Sequence, residues 1–215
     1  MVAAAGSSRR YGSDKLAERI GEMTVLERTV AALRTALPEA PLTVAVAAHR
    51  MKTWRTKLEA DAVVAGGGRR QDSVRRAAEL AMNQGAQTIF IHDGARPLVH
   101  PGDVRRVVDA LGDGDGAILC AEIPDTVKRL DDRGVVAATL DRDSLRLAQT
   151  PQVFRSSALR SAWPALDVTE DYSDEAAILE AAGFEIRCVA ARHPNPKLTT
   201  PADLAVMRAL AGVAP

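Results

Sequence analysis

Short apolar runs alternate along this chain with stretches in which apolar residues recur every third or fourth position. The first kind reads as strands buried on both faces, the second as amphipathic helices. Predicted strands cover an N-terminal run ending before Gly6, then 42–47, 62–65, 88–92, 117–121 and 185–189. Predicted helices follow Thr24 and cover 52–58, 74–81, 101–111, 157–163, 174–182 and 201–210. Several carry their own start signals. Thr24-Val25-Leu26-Glu27 has the spacing of a capping box, Asp72 or Ser73 can open the helix at 74, and Thr200-Pro201 supplies an N-cap and a helix-compatible proline. Strands and helices in alternation imply βαβ units around a mostly parallel sheet.

The rhythm breaks after residue 121. Segments 126–130 and 135–140 flank Asp131-Asp132-Arg133-Gly134, a hairpin signal, and an extended run at 149–154 follows with no clear helix between. Residues 126–141 are read as an arm projecting from the sheet, although a hairpin folded on the edge of its own domain fits the pattern equally well. No repeat, low-complexity segment or linker interrupts residues 1–215, which are expected to form one domain.

Composition narrows the function classes. The 28 Lys and Arg balance 28 Asp and Glu, so net charge does not advertise a nucleic-acid surface, and 3% aromatic residues argue against a base-stacking single-strand binder. Cys120 and Cys188 lie far apart in apolar runs and are expected to be core thiols rather than a disulfide, metal ligands or a nucleophile. There is no secretory signal and no apolar run long enough to span a bilayer, so a cytoplasmic enzyme-sized domain without a membrane partner is expected.

The candidate chemistry begins at residues 2–15. Small apolar residues run into Gly6-Ser7-Ser8-Arg9-Arg10 and then Lys15. Free N–H groups of such a loop form an anion-binding concavity, and the cations suit phosphate. Neither Gly-x-x-x-x-Gly-Lys-Ser/Thr nor Gly-x-Gly-x-x-Gly is present, so a P-loop or a dinucleotide fingerprint is excluded here. Further polar clusters at 66–73, 93–96 and 195–197 fall at or near predicted strand ends, where open α/β sheets bind ligands. Singly, Gly66-Gly67-Gly68 reads as a turn and Lys197 as a solvated lysine; their recurrence at successive strand ends favours one shared site. Asp113-Gly114-Asp115 reads as a solvated turn, His92 as a packed histidine, and His49, His92, His100 and His193 lack zinc-ligand spacing.

Ala4-Ala5-Gly6-Ser7-Ser8-Arg9-Arg10 with Lys15 resembles the signature loop of nucleotidyltransferases. His92-Asp93-Gly94-Ala95-Arg96-Pro97, Asp125-Thr126-Val127-Lys128-Arg129, Leu140-Asp141-Arg142, Gln149-Thr150-Pro151-Gln152-Val153-Phe154 and the run from Lys197 to Leu204 follow in order. Across essentially the whole chain this is similar to the 2-C-methyl-D-erythritol 4-phosphate cytidylyltransferase family. The chain departs from the usual pattern at Asp14, Leu16, Gly68, Gly94 and Pro194-Asn195-Pro196, which bears on loop geometry and affinity rather than reaction type.

The resemblance implies a Rossmann-like α/β fold, with a mostly parallel sheet flanked by helices and a β-arm used for dimerisation. It implies transfer of CMP from CTP to 2-C-methyl-D-erythritol 4-phosphate with Mg²⁺ or another divalent cation. Arg10 and Lys15 are its catalytic pair. Ala4, Ala5, Gly6, Gly67, Gly68 and Ser73 are implied to hold cytosine and ribose. Asp93 is assigned to ribose or the metal, and Arg96 to the sugar phosphate region. Thr150 and Lys197 are assigned to the acceptor site, with Thr126, Lys128 and Arg142 reaching it from the arm, across a homodimer with shared sites. The alternatives are a cytidylyltransferase for another polyol phosphate, such as ribitol 5-phosphate, and a non-catalytic nucleotide-binding protein on the same fold.

Overall fold

The computed structural model describes residues 1–6, 11–12, 14–165 and 170–213. Its strands are β1 (Val2–Ala4), β2 (Arg19–Ile20), β3 (Met23–Thr24), β4 (Thr43–Val46), β5 (Ala62–Ala65), β6 (Thr88–Asp93), β7 (Gly116–Ala121), β8 (Lys128–Leu130), β9 (Val136–Thr139), β10 (Leu147–Arg155) and β11 (Ile186–Ala190). Its α-helices are α1 (Val25–Ala36), α2 (Met51–Arg55), α3 (Arg70–Asn83), α4 (Pro101–Leu111), α5 (Ser156–Ala162), α6 (Glu175–Ala181) and α7 (Pro201–Leu210).

Seven strands form one sheet in the order β11-β7-β10-β6-β1-β4-β5. β10 runs antiparallel to both β6 and β7, and the other pairings are parallel. Alternate residues of each central strand face opposite layers, as the period of two requires. Val2 and Ala4 of β1 join a core with α1, α4 and α7, through Leu26, Val30, Val104 and Met207. Ile89 and Ile91 of β6 and Phe154 of β10 face the other layer, with Val74, Leu159 and Leu179 from α3, α5 and α6. Trp54 and Trp163 are buried, as expected.

Chain order and sheet order diverge at β1. The chain steps from β1 to β4 and β5 on one side, and β6 returns to the other side of β1. This reversal leaves a crevice outside the carboxyl ends of β1 and β6, the usual ligand position of open α/β sheets.

The capping box on α1 is formed: Glu27 N–H donates to Thr24 Oγ1 at 3.2 Å and Thr24 N–H to Glu27 Oε2 at 2.7 Å. α3 starts earlier than expected, because Asp72 acts not as the cap but at the third helical position, accepting the Arg69 N–H at 3.1 Å. The small hairpin β2–β3 was not predicted; two-residue strands leave no periodicity to read. β8 and β9 form the expected separate hairpin. The expectation for the cysteines is overturned. Cys120 and Cys188 form a disulfide, because strands 68 residues apart in sequence are neighbours in the sheet and bring their Cα atoms to 6.0 Å. Cys188 is exposed rather than in the core. Among the described residues no helix is long and apolar enough to cross a membrane.

Candidate active site

A cleft of about 610 Å³, open to solvent, lies at the carboxyl ends of β1, β5 and β6. One wall is the backbone of Ala4, Ala5 and Gly6 after β1. The opposite wall is Gly67, Gly68 and Ser73, between β5 and α3. Lys15, Arg69, Arg70, Asp93 and Lys197 bring charge to it.

The two walls approach through absent side chains. A Cβ on Gly66 would sit 2.3 Å from Ala5 Cβ and 2.7 Å from Ser73 Oγ, and one on Gly67 would sit 2.4 Å from Asp72 Cβ. Ser73, almost wholly buried, fixes the glycine loop: its hydroxyl accepts the Gly67 N–H at 2.9 Å and donates to Arg69 O at 3.1 Å. Gly68 meets nothing within 4 Å, so its place on the cleft does not depend on close packing.

Asp93 ends β6 at the cleft floor with its side chain 8% exposed. Its Oδ1 lies 3.2 Å from Arg70 Nε; its Oδ2 lies 2.7 Å from Lys197 Nζ and 3.7 Å from Arg96 Nε. Burial pulls the carboxyl upward in pKa, but Arg70, Lys197 and Arg96 together hold it well below the usual carboxylate range. Arg70 reaches on to Glu175, at 2.7 Å from Nη1 to Oε2, and Glu175 is buried. Lys15 is anchored by donating to Leu198 O at 2.8 Å.

A buried lattice supports this floor. Thr150 Oγ1 accepts the Asp93 N–H at 3.0 Å and lies 3.1 Å from His92 Nδ1. His92 Nε2 lies 3.2 Å from Arg96 O, which can only accept. The proton therefore sits on Nε2, and the Thr150 hydroxyl donates to Nδ1. Burial lowers the His92 pKa to about 4, so the ring is neutral near pH 7. Asn195 Nδ2 donates to Thr150 O at 2.8 Å, while the Asn195 backbone carbonyl accepts from Arg96 Nη1 at 2.7 Å. The segment between Pro194 and Lys197 is thus tied to β10, and Lys197 is delivered to Asp93.

A profile of the 2-C-methyl-D-erythritol 4-phosphate cytidylyltransferase family matches residues 1–212. The chain belongs to this family. The cytidylyltransferase of that name from Rhodococcus jostii is 36% identical over 98% of this chain and 93% of its own length. The bifunctional enzyme IspD/IspF of Rhodospirillum rubrum is 38% identical over 95% of this chain, which spans only 54% of that relative. The crystal structure of the Thermus thermophilus cytidylyltransferase superposes with a TM-score of 0.79 at 31% identity, covering 99% of this chain and 97% of that one.

Set against the positions that the cytidylyltransferase resemblance singled out, the structure divides them into three groups. Ala4, Ala5, Gly6, Lys15, Gly67, Gly68, Ser73, Asp93 and Lys197 meet at the cleft. Arg96 and Thr150 are buried behind it, holding Asp93 and the Asn195 segment rather than lining the cavity. Thr126, Lys128 and Arg142 lie exposed around the β8–β9 hairpin, outside the lining of this cleft; Lys128 Nζ donates to Thr139 Oγ1 at 2.7 Å, and Arg142 donates to Pro124 O. Arg10 lies outside the described residues. Arg70 and Asn195 fell inside the polar clusters at 66–73 and 195–197 without a role of their own, and Glu175 was not singled out. Arg70 sits among arginines of a polar helix start, and nothing in its spacing separates it from solvated neighbours. A glutamate in an otherwise apolar helix, such as Glu175, was a usable sign of a buried ion pair.

Proposed function

We propose that this chain transfers CMP from CTP to 2-C-methyl-D-erythritol 4-phosphate, releasing pyrophosphate and 4-diphosphocytidyl-2-C-methyl-D-erythritol. The observation that carries this reading is the single cleft uniting the two glycine-containing loops with Lys15, Asp93 and Lys197. Ala4–Gly6 and Gly67–Gly68 suit a nucleotide, because their small or absent side chains let a ligand approach the main chain of both walls. Lys15 and Lys197 stand at the cleft with the charge needed to gather two polyanions.

The acceptor phosphomonoester is largely dianionic at neutral pH, its second pKa being about 6. Its oxygen attacks the α-phosphorus of CTP in line and pyrophosphate leaves; no general base is needed. Catalysis is then placement and charge stabilisation. Lys15, held by Leu198 O, is assigned to the developing charge, a role that the family resemblance also gives to Arg10. Lys197 orients the acceptor phosphate, and its ion pair with Asp93 keeps the ammonium in place before substrate arrives.

Among the described residues no group of three His, Cys, Asp or Glu could cage a metal, and Asp93 is the one carboxylate lining the cleft. Both Asp93 oxygens are already paired, with Arg70 and Lys197, so this set fits Mg²⁺ held chiefly by nucleotide phosphates with at most one protein carboxylate beside them. When bound, the ion neutralises phosphate charge. Turnover is expected to vanish in chelator and return with Mg²⁺; full activity in chelator would remove the ion from the reaction.

A homodimer with shared sites belongs to the same reading. Leu130, Val135 and Val136 on the arm, and Leu147 at its base, are each more than half exposed, as befits a surface covered by a second copy. The deciding experiment is a pyrophosphate-release matrix of CTP, UTP, ATP and GTP against 2-C-methyl-D-erythritol 4-phosphate and ribitol 5-phosphate. Turnover with CTP and the methylerythritol phosphate alone is the expected result. Preference for ribitol phosphate would move the assignment to another polyol, and binding without turnover would make the chain a nucleotide-binding protein.

A further inference from the structure

Glu175 lies outside the cleft lining yet is nearly inaccessible to solvent and faces a cation that does line it. It is placed firmly. Asp174, preceding it, caps α6 by accepting the Ala177 N–H at 3.0 Å, and its other oxygen accepts from Gln152 of β10 at 2.7 Å. Glu175 Oε2 then takes Arg70 Nη1 at 2.7 Å.

The remaining edge of that guanidinium is the informative part. Nε touches Asp93 Oδ1 at 3.2 Å, while Nη2 is buried without a hydrogen-bond partner. Nε and Nη2 form the side-on edge of arginine, which grips a carboxylate through both oxygens when free to do so. Here it does not: Nη1 is engaged by Glu175, and only Nε reaches Asp93. Asp93 Oδ2 stays available to Lys197 Nζ at 2.7 Å.

We propose that Glu175 is a positioning residue: by restraining Arg70 to one oxygen of Asp93, it reserves the other for Lys197 and so sets where that ammonium stands in the cleft. Released from Glu175, Arg70 closes on Asp93 with two bonds and competes with Lys197 for Oδ2, which Arg96 Nε also approaches at 3.7 Å. The consequence for catalysis rests on the reading of the cleft given above; the placement of Lys197 does not.

Two readouts separate the two. The first is the rate at which formaldehyde and a borane reductant methylate Lys197, followed by mass spectrometry against Lys52 and Lys57. In Glu175→Gln, Lys197 is expected to react about fivefold faster, because a two-point arginine grip outcompetes a one-point lysine contact for the same oxygen. Adding Arg70→Gln removes the competitor, and the double variant is expected to return to within about twofold of wild type. A structural role alone predicts the opposite, since two damaged partners loosen the region more than one. Unchanged reactivity in Glu175→Gln, or a double variant more reactive than the single, overturns the proposal. Should Glu175→Gln not fold, Glu175→Asp, which withdraws the carboxylate by one methylene, is judged by the same criteria.

The second readout is kinetic: in Glu175→Gln the KM for the polyol phosphate is expected to rise about tenfold and that for CTP to stay within about twofold. A labelling change without turnover in wild type would sink the proposed reaction and leave the placement standing. Turnover with no change in either KM would overturn the catalytic part of the placement.

Discussion

His92 shows how a side chain can support a site whose lining it does not join. Thr150 and Arg96 O dictate its tautomer, and through Thr150 it helps hold the Asp93 backbone. Protonation at Nδ1 would set an N–H against the Thr150 hydroxyl proton and charge a buried ring. Its folded pKa of about 4 lies below the ordinary 6.5, so the unfolded chain takes up the proton first and stability is lost as pH falls from 6.5 towards 4. Between pH 7 and pH 5 this group should remove about 2 kcal/mol of unfolding free energy. Denaturant titrations of wild type and His92→Asn at both pH values isolate that share; equal pH slopes would show that His92 is not the source. Lys15 makes the contrasting case, with its effect on rate rather than stability. Lys15→Ala should lower kcat about a hundred- to a thousandfold, the typical loss of one preorganised donor to transition-state charge. A two- or threefold change would make it a bystander.

At the scale of elements, the site depends on how closely two loops can pass. Gly66→Ala places a methyl into Ala5 and the Ser73 hydroxyl, atoms of packed elements with little freedom to yield. It should cost about 1–3 kcal/mol, the usual range for overpacking. Gly68→Ala has open space and should change stability by less than about 1 kcal/mol. Thermal melts of the pair test this, and similar losses at both positions would mean that the loops are not in the contact described. Sequence and structure diverge for related reasons. α4 and α7 were legible to the residue because Pro101 and Pro201 open them, and β5 because Gly66 ends it. The run of glycines announced a special loop, but not that Gly66 and Gly67 leave no room for a side chain while Gly68 does. The disulfide was illegible because only sheet order brings Cys120 and Cys188 together. Thr150 and Arg96 were expected at the substrate, but they lie buried behind Asp93, a placement that depends on β10 inserting antiparallel beside β6.

Taken as a single chain, the fold brings together only part of the expected constellation. Lys15, Asp93 and Lys197 meet at the cleft, whereas Thr126, Lys128 and Arg142 stand on or beside an exposed hairpin with Leu130 and Val136 uncovered. A two-fold dimer uses the same patch on both chains, so exchanged arms make a closed arrangement. Each site would then combine Lys15 and Lys197 of one chain with Arg142 of its partner. Lys15→Ala and Arg142→Ala homodimers should each be nearly inactive. Unfolded and refolded together, they should form mixed dimers in which one site carries both lesions and the other carries none. Random pairing leaves about half the dimers mixed, each with one intact site, so about a quarter of wild-type activity per site should return. Differently tagged chains establish that mixed dimers have formed. Mixed dimers without recovered activity would show that each arm serves its own subunit, and Arg142 would then have to reach the cleft within one chain.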